Sequence, residues 1–221
     1  MLDEGCYTLP KYTSDSPEVQ AACDTMNEYL KASITYKMKE NVVVDKTLIS
    51  EWLSYDENMN VTFDEDKVKE WMREFGKTYD TVGSTRTITT PTGKTVNVSG
   101  GTYGWSVDEA TEATALIESI KKGEVIEKEP TYVQTAATHD AQDWGSTYAE
   151  VDVTTQHMWY IVNGAVVLET DVVTGKPTPD RVTPTGVYSI LELKRNKTLT
   201  GTINRLQVNR SMRHRFLTGC V

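Results

Sequence analysis

The sequence predicts an α+β domain over residues 1–128, followed from residue 131 by an incomplete all-β domain. Three observations carry this. Before residue 128, capping residues introduce stretches whose apolar side chains recur every three or four positions, with short β-branched runs between them. From Tyr148 onward the period drops to two and turn residues fall at regular intervals. After Glu192 the character changes again: no Asp or Glu follows, whereas Lys194, Arg195, Lys197, Arg205, Arg210, Arg213 and Arg215 do.

Taken in order, Ser16-Pro17-Glu18 opens a helix, with Ser16 as cap, Pro17 at the first helical position and Glu18 at the positive dipole end. Val19, Ala22, Cys23, Met26, Tyr29 and Leu30 follow at helical spacing. Ile34–Tyr36 and Val42–Val44 read as short strands. Asp45 caps a short helix carrying Leu48, Ile49, Trp52 and Leu53, and Asp64 caps another whose Val68, Trp71, Met72 and Phe75 share one face. Residues 85–90 and 94–98 form a hairpin around Pro91-Thr92-Gly93. Ser106 and Glu109 have the spacing of a capping box. The helix they open carries Ala110, Ala113, Leu116, Ile117 and Ile120 inward and ends near Gly123. Ile126–Pro130 reads as a linker and Thr131–Gln134 as a strand, while His139–Gly145 is polar and turn-prone. Strands are expected at 148–153, 157–162, 165–173 and 185–193, with turns at Asn163-Gly164 and around Gly175. Asn-Gly between two apolar runs is a strong hairpin signal.

Composition narrows the function classes. The chain has 221 residues, 38% hydrophobic and 25% charged, which suits a soluble globular protein. A net charge of -9 and a pI near 4.9 argue against nucleic acid as a partner. No run of about 18 apolar residues exists to span a membrane, and Met1–Tyr7 lacks the basic and apolar regions of a signal peptide. The chain is therefore expected to be cytosolic or to begin inside a longer exported protein. Cys6, Cys23 and Cys220 show no C-x-x-C spacing. Cys6 and Cys23 are either a pair, in an oxidising compartment, or two unpaired thiols; spacing does not reveal geometry. His139, His157 and His214 are too scattered for a metal site, and His157 reads as an ordinary strand side chain. No metal, no cofactor and no catalytic residue is nominated.

Two groups of motifs stand out. The first is Ser14-Asp15-Ser16-Pro17-Glu18-Val19, Thr92-Gly93-Lys94 and Gly100-Gly101-Thr102-Tyr103-Gly104-Trp105 before an acidic helix start. These resemble the peptidoglycan-binding domain that precedes some Gram-positive L,D-transpeptidase domains. The second is Gln156-His157-Met158-Trp159, Val172-Val173-Thr174-Gly175 and Thr183-Pro184-Thr185-Gly186. These resemble the opening half of the L,D-transpeptidase (YkuD-type) catalytic domain, and the two resemblances occur in the family's order. They imply domains at 1–128 and 131–204, peptidoglycan and its stem peptides as partners, and a location outside the cell, at the wall or anchored to the membrane's outer face.

The resemblance also implies a chemistry. A cysteine thiolate attacks a stem-peptide carbonyl, D-alanine leaves, and an amine of a neighbouring stem resolves the thioester into a 3-3 crosslink. A histidine base and backbone N–H donors assist. The last residues do not supply these parts. Thr218-Gly219-Cys220 has Thr218 where the family carries histidine, and His214 lies only six residues before Cys220. Read one register over from the third base of the Asn204 codon, the degenerate codons of residues 204–221 permit the string PATGKPKYETPVSYWMR. That string resembles what family members carry after Leu199–Asn204. Residues 205–221 are therefore expected to be an out-of-frame tail, Cys220 a chance thiol, and the chain as written an inactive fragment of the family. The alternative is a non-catalytic cell-wall-binding module.

Overall fold

The computed structural model describes residues 10–191. Four helices are formed: α1 (Pro17–Tyr29), α2 (Lys46–Trp52), α3 (Glu65–Tyr79) and α4 (Glu109–Lys121). The strands are β1 (Ser33–Tyr36), β2 (Val42–Val44), β3 (Leu53–Tyr55), β4 (Val61–Phe63), β5 (Arg86–Thr89), β6 (Thr95–Val98) and β7 (Ser106–Val107). They continue as β8 (Val125–Lys128), β9 (Tyr132–Gln134), β10 (Tyr148–Asp152), β11 (His157–Val162) and β12 (Ala165–Asp171). The described residues divide into two compact units. An α+β unit takes those up to Thr81 together with Trp105–Thr135; a β unit takes Val82–Gly104 and the residues from Ala136 onward. Each unit is thus built from two separate pieces of chain.

In the α+β unit, β1 is the middle of a three-stranded sheet, antiparallel to β2 and parallel to β8. Its alternation puts Ile34 and Tyr36 inward, both fully buried. Trp52 of α2, Val68, Met72 and Phe75 of α3, and Ala113, Leu116 and Ile120 of α4 pack against them in one core. The expected face of α3 is therefore real, with Trp71 at its margin against Tyr36 and Phe75. Asp45 and Asp64 cap α2 and α3 as expected, Asp45 accepting from the Thr47 and Leu48 N–H groups and Asp64 from that of Lys67. Such caps contribute about 1 kcal/mol each.

Several expectations fail for identifiable reasons. Ser16 occupies the cap position of α1, but its hydroxyl accepts from the Thr13 N–H instead of from the helix. Only Ala22 of the α1 stripe is buried. The Ser106–Glu109 capping box does not form. Ser106 lies in β7 and donates to Asp80 at 3.2 Å, while Asp108 caps α4 by accepting from the Thr111 N–H at 3.0 Å. Ala110 consequently faces outward. The expected linker at 126–130 is largely β8, whose polar sequence conceals its parallel pairing with β1.

The buried carboxylate of Glu112 was not anticipated at all. It has no solvent exposure and accepts four hydrogen bonds: from Tyr36 Oη at 2.8 Å, Lys128 Nζ at 2.6 Å, and the Thr131 N–H and hydroxyl at 2.8 Å each. Burial pushes its pKa up, but the bonds from Lys128, Thr131 and Tyr36 outweigh burial and hold it below the ordinary value. One side chain thereby ties α4 to β1, β8 and the entry to β9.

The β unit holds the β5–β6 hairpin and an antiparallel meander, β10-β11-β12. Thr90 and Lys94 close the hairpin turn, with Gly93 at φ 80°. Asn163 (φ 49°) and Gly164 (φ 78°) form the tight turn expected between β11 and β12, with Val162 directly opposite Ala165. Trp159 and Ile161 of β11 are buried. The expected fourth strand does not extend through 185–191; there Val187 alone makes an isolated parallel bridge to Gly101. Residues 192 and 193 of that expectation lie outside the described residues, as does the expected tail at 205–221.

Candidate functional site

One segment of the first group, Gly100–Gly104, meets the second group in the β unit. Gln156, at the turn into β11, reaches Thr174 through both ends of its amide. Its Nε2 donates to Thr174 Oγ1 at 2.5 Å, and its Oε1 accepts from the Thr174 N–H at 3.3 Å. Gly175 follows, and its N–H donates to Thr183 Oγ1 at 2.7 Å. A Cβ at Gly175 would stand 2.0 Å from the Arg181 carbonyl oxygen, so only glycine lets the loop close onto Thr183.

Four residues past Thr183, the chain docks on the Gly-Gly-x-Tyr-Gly segment. Val187 N–H donates to the Gly100 carbonyl at 3.1 Å, and the Val187 carbonyl accepts from the N–H groups of Thr102 at 2.9 Å and Tyr103 at 3.0 Å. Gly101 sits at φ 92°, and a Cβ there would lie 2.0 Å from the Val187 oxygen. Side-chain-bearing residues resist that backbone and the contact forbids them outright. Motifs separated by some eighty positions thus form one continuous seam.

A buried ion pair holds the seam in place. Arg86 of β5 grips Asp143 with two bonds, Nε to Oδ1 at 3.0 Å and Nη2 to Oδ2 at 2.9 Å. Nη2 also donates to the Tyr103 carbonyl at 3.0 Å. Tyr103 completes the ring: its hydroxyl accepts from the Ala137 N–H at 2.8 Å and donates to the Asp143 carbonyl at 3.3 Å. A two-pronged guanidinium–carboxylate contact fixes orientation as well as distance. Sequence reasoning missed Arg86 and Asp143. The available signal was alternation: Ile88 is buried, so Arg86 two residues earlier must also point inward and needs a buried partner.

Beside the seam lies a groove of about 720 Å³. Ile88, Val98, Tyr103, Trp144, Tyr148 and Glu150 line it together with residues 183–190. Glu150 Oε2 and Trp144 Nε1 are buried without a hydrogen-bond partner among the described residues. Burial first, then the neighbouring charge of Asp152, pushes the Glu150 carboxyl above its ordinary pKa. The groove therefore offers aromatic walls, one indole donor and one carboxyl.

The nucleophile-bearing and imidazole residues are placed as follows. Cys23 is a free thiol on the exposed side of α1 in the α+β unit. His157 is a strand residue, as expected, with Nδ1 2.9 Å from Asp171 Oδ1 and its ring against Trp159. His139 lies in the turn segment of the β unit. Cys6, His214 and Cys220 lie outside the described residues. Among the described residues, no cluster of three or more His, Cys, Asp or Glu side chains is arranged to hold a metal ion, and no helix is long and apolar enough to cross a membrane.

Two family models match this chain. Residues 12–127 match one described as "Putative peptidoglycan binding domain", and residues 146–217 match the L,D-transpeptidase catalytic domain. Among solved structures, that of the Ldtfm–avibactam carbamoyl enzyme is 30% identical, with a TM-score of 0.64; the match covers 84% of this chain and 72% of that one. A cysteine-to-serine mutant of Enterococcus faecium L,D-transpeptidase is 31% identical, with a TM-score of 0.62, over 81% of this chain and 71% of that one. No curated protein matches the chain. With its peptidoglycan-binding domain ahead of catalytic-domain sequence, and matches of 30% and 31% identity to solved L,D-transpeptidases, the chain belongs to the L,D-transpeptidase family.

Proposed function

We propose that this protein works outside the cell, at the wall or on the membrane's outer face, with peptidoglycan stem peptides as the substrates of its β unit. The observation that carries this reading is the seam. Gln156 bonds Thr174, Gly175 bonds Thr183, and Gly101 packs on Val187, which gives these motif residues a structural purpose. The reaction is then acyl transfer through a cysteine thioester, as family membership implies.

We propose further that the chain as written does not complete that transfer. Thr218 stands in the place of the motif histidine, His214 is too close to Cys220 to serve as the upstream base, and residues 205–221 read as an out-of-frame tail. Avibactam forms a carbamoyl enzyme with one of the similar proteins and is a suitable probe. Intact-mass measurement after incubation with avibactam is expected to show no adduct on this chain and one adduct on a frame-corrected full-length version that continues through the family's cysteine motif. A stoichiometric adduct on this chain, lost in Cys220→Ala, would overturn the inactivity. Absence of adduct on both versions would overturn the frame reading.

The second reading, a non-catalytic wall-binding module, is favoured by the extent of the peptidoglycan-binding match over residues 12–127. Incubation of the frame-corrected full-length version with isolated peptidoglycan separates the readings: D-alanine release supports the transpeptidase, and binding without release supports the module.

A further inference from the structure

In the α+β unit a cleft of about 410 Å³ opens between α1 and the turn joining β3 to β4. We propose that this cleft takes the glycan strand of peptidoglycan, one N-acetylated amino sugar at a time, and not the stem peptide. The proposal rests on the reading that this unit holds peptidoglycan, and adds the site and the chemical part recognised.

The volume lies within the ~300–1,000 Å³ range of small-ligand sites. One wall is α1, with Glu18 and Thr25 at its ends and only alanine side chains between them. The other wall is Asn58, Met59, Asn60 and Val61. Asp56 holds this second wall rigid by accepting from the N–H groups of Asn58 at 2.8 Å and Asn60 at 2.9 Å, and from Asn60 Nδ2 at 2.9 Å. Lys11 Nζ donates to Asn58 Oδ1 at 3.3 Å and to the Glu57 carbonyl at 3.0 Å.

These bonds leave a specific remainder. Asn58 keeps its amide NH2 and Asn60 keeps its amide oxygen, one donor and one acceptor with no partner among the described residues. An acetamido group presents the complementary acceptor and donor. The Thr25 hydroxyl spends its proton on the Ala21 carbonyl and remains an acceptor, as does the Glu18 carboxylate, so both suit sugar hydroxyls. A stem-peptide carboxylate would instead meet the like charge of Glu18 in the cleft lining.

An aromatic ring lies next to this lining without being part of it. Tyr55 of β3 lies directly opposite Val61 of β4, so the two side chains share a sheet face, and Val61 lines the cleft. Tyr55 is 59% exposed. An exposed tyrosine beside a polar cleft offers an apolar ring face to the C–H face of a pyranose and a hydroxyl at its rim.

The test uses the full chain with two probes, the N-acetylglucosamine tetramer and glycan strands stripped of stem peptides, measured by calorimetry. The full chain is expected to bind both. Asn58→Ala and Tyr55→Ala are each expected to weaken binding about tenfold or more, with melting temperatures unchanged because both side chains are at the surface. Glu18→Gln provides a third surface variant, expected to weaken binding less. Variants that bind the stripped glycan like the parent would overturn the cleft. Binding to intact peptidoglycan without binding to stripped strands would overturn the glycan assignment while leaving the wall-binding reading standing. No binding to intact peptidoglycan would overturn both.

Discussion

Arg86 and Asp143 are 4% and 1% exposed, which makes their pairing a matter of consequence at the level of single side chains. A buried charge left without its partner carries its full desolvation penalty, so Arg86→Met alone and Asp143→Leu alone are each expected to destabilise the β unit by about 3–5 kcal/mol. The double variant removes both charges and leaves no orphan. It is expected to recover most of the loss, which chemical denaturation followed by Trp fluorescence reports. A double variant as unstable as the sum of the singles would mean that the residues act independently. The Tyr103 carbonyl and hydroxyl bonds depend on the same arrangement. Their loss limits how complete the recovery becomes.

At the scale of the element, α4 is the helix whose position depends on one carboxylate. Its apolar side, Ala113, Leu116 and Ile120, packs in the core, but register against β1 and β8 comes from the four hydrogen bonds on Glu112. Those bonds hold the folded pKa below the ordinary 4.5. A depressed carboxylate pKa contributes stability that is fully present above the unfolded value and is lost as pH falls through the folded one. Glu112→Gln is therefore expected to lower the melting temperature at neutral pH, and the gap from the parent is expected to close as pH falls below about 4.5. Melting curves across that window check it. A gap that stays constant from neutral pH to acid would show that Glu112 contributes shape alone. β12 is the contrasting element: Val166, Val167 and Leu168 are exposed along the edge of the meander, a surface prone to pairing with other chains.

For the whole molecule, the informative fact is that each compact unit is discontinuous. The β5–β6 hairpin falls within the residues matched by the peptidoglycan-binding model, yet its buried Arg86 is satisfied by Asp143 and its following loop by Val187. A fragment ending at residue 135 keeps every residue of the α+β core and removes both partners of the hairpin. Hydrogen exchange is expected to show near-parental protection for α3, α4 and β1 in that fragment and rapid exchange for residues 86–98. Equal protection of the hairpin in fragment and full chain would mean that it folds without the β unit.

Local rules located most elements because they depend on near neighbours. Asp45 and Asp64 cap the helices that follow them, α3 carries its apolar face at helical spacing, and Asn163-Gly164 turns the meander as its backbone demands. The sequence by itself therefore determined the α+β-then-β order and the family resemblance. The tertiary structure decided what depends on residues far apart in the chain. Ser106 is drawn into β7 by pairing with β9 and leaves the cap to Asp108; the polar stretch at 125–128 becomes a strand because β1 lies beside it. Glu112, Arg86 and Asp143 read as surface charges until their distant partners are known. Gly101 follows the same rule: the turn chemistry is local, but the carbonyl oxygen of Val187 that excludes a Cβ comes from elsewhere in the chain. Periodicity and capping are encoded within a few residues, whereas the cost of burying a charge, or of pressing one backbone against another, exists only once the chain has brought the partners together.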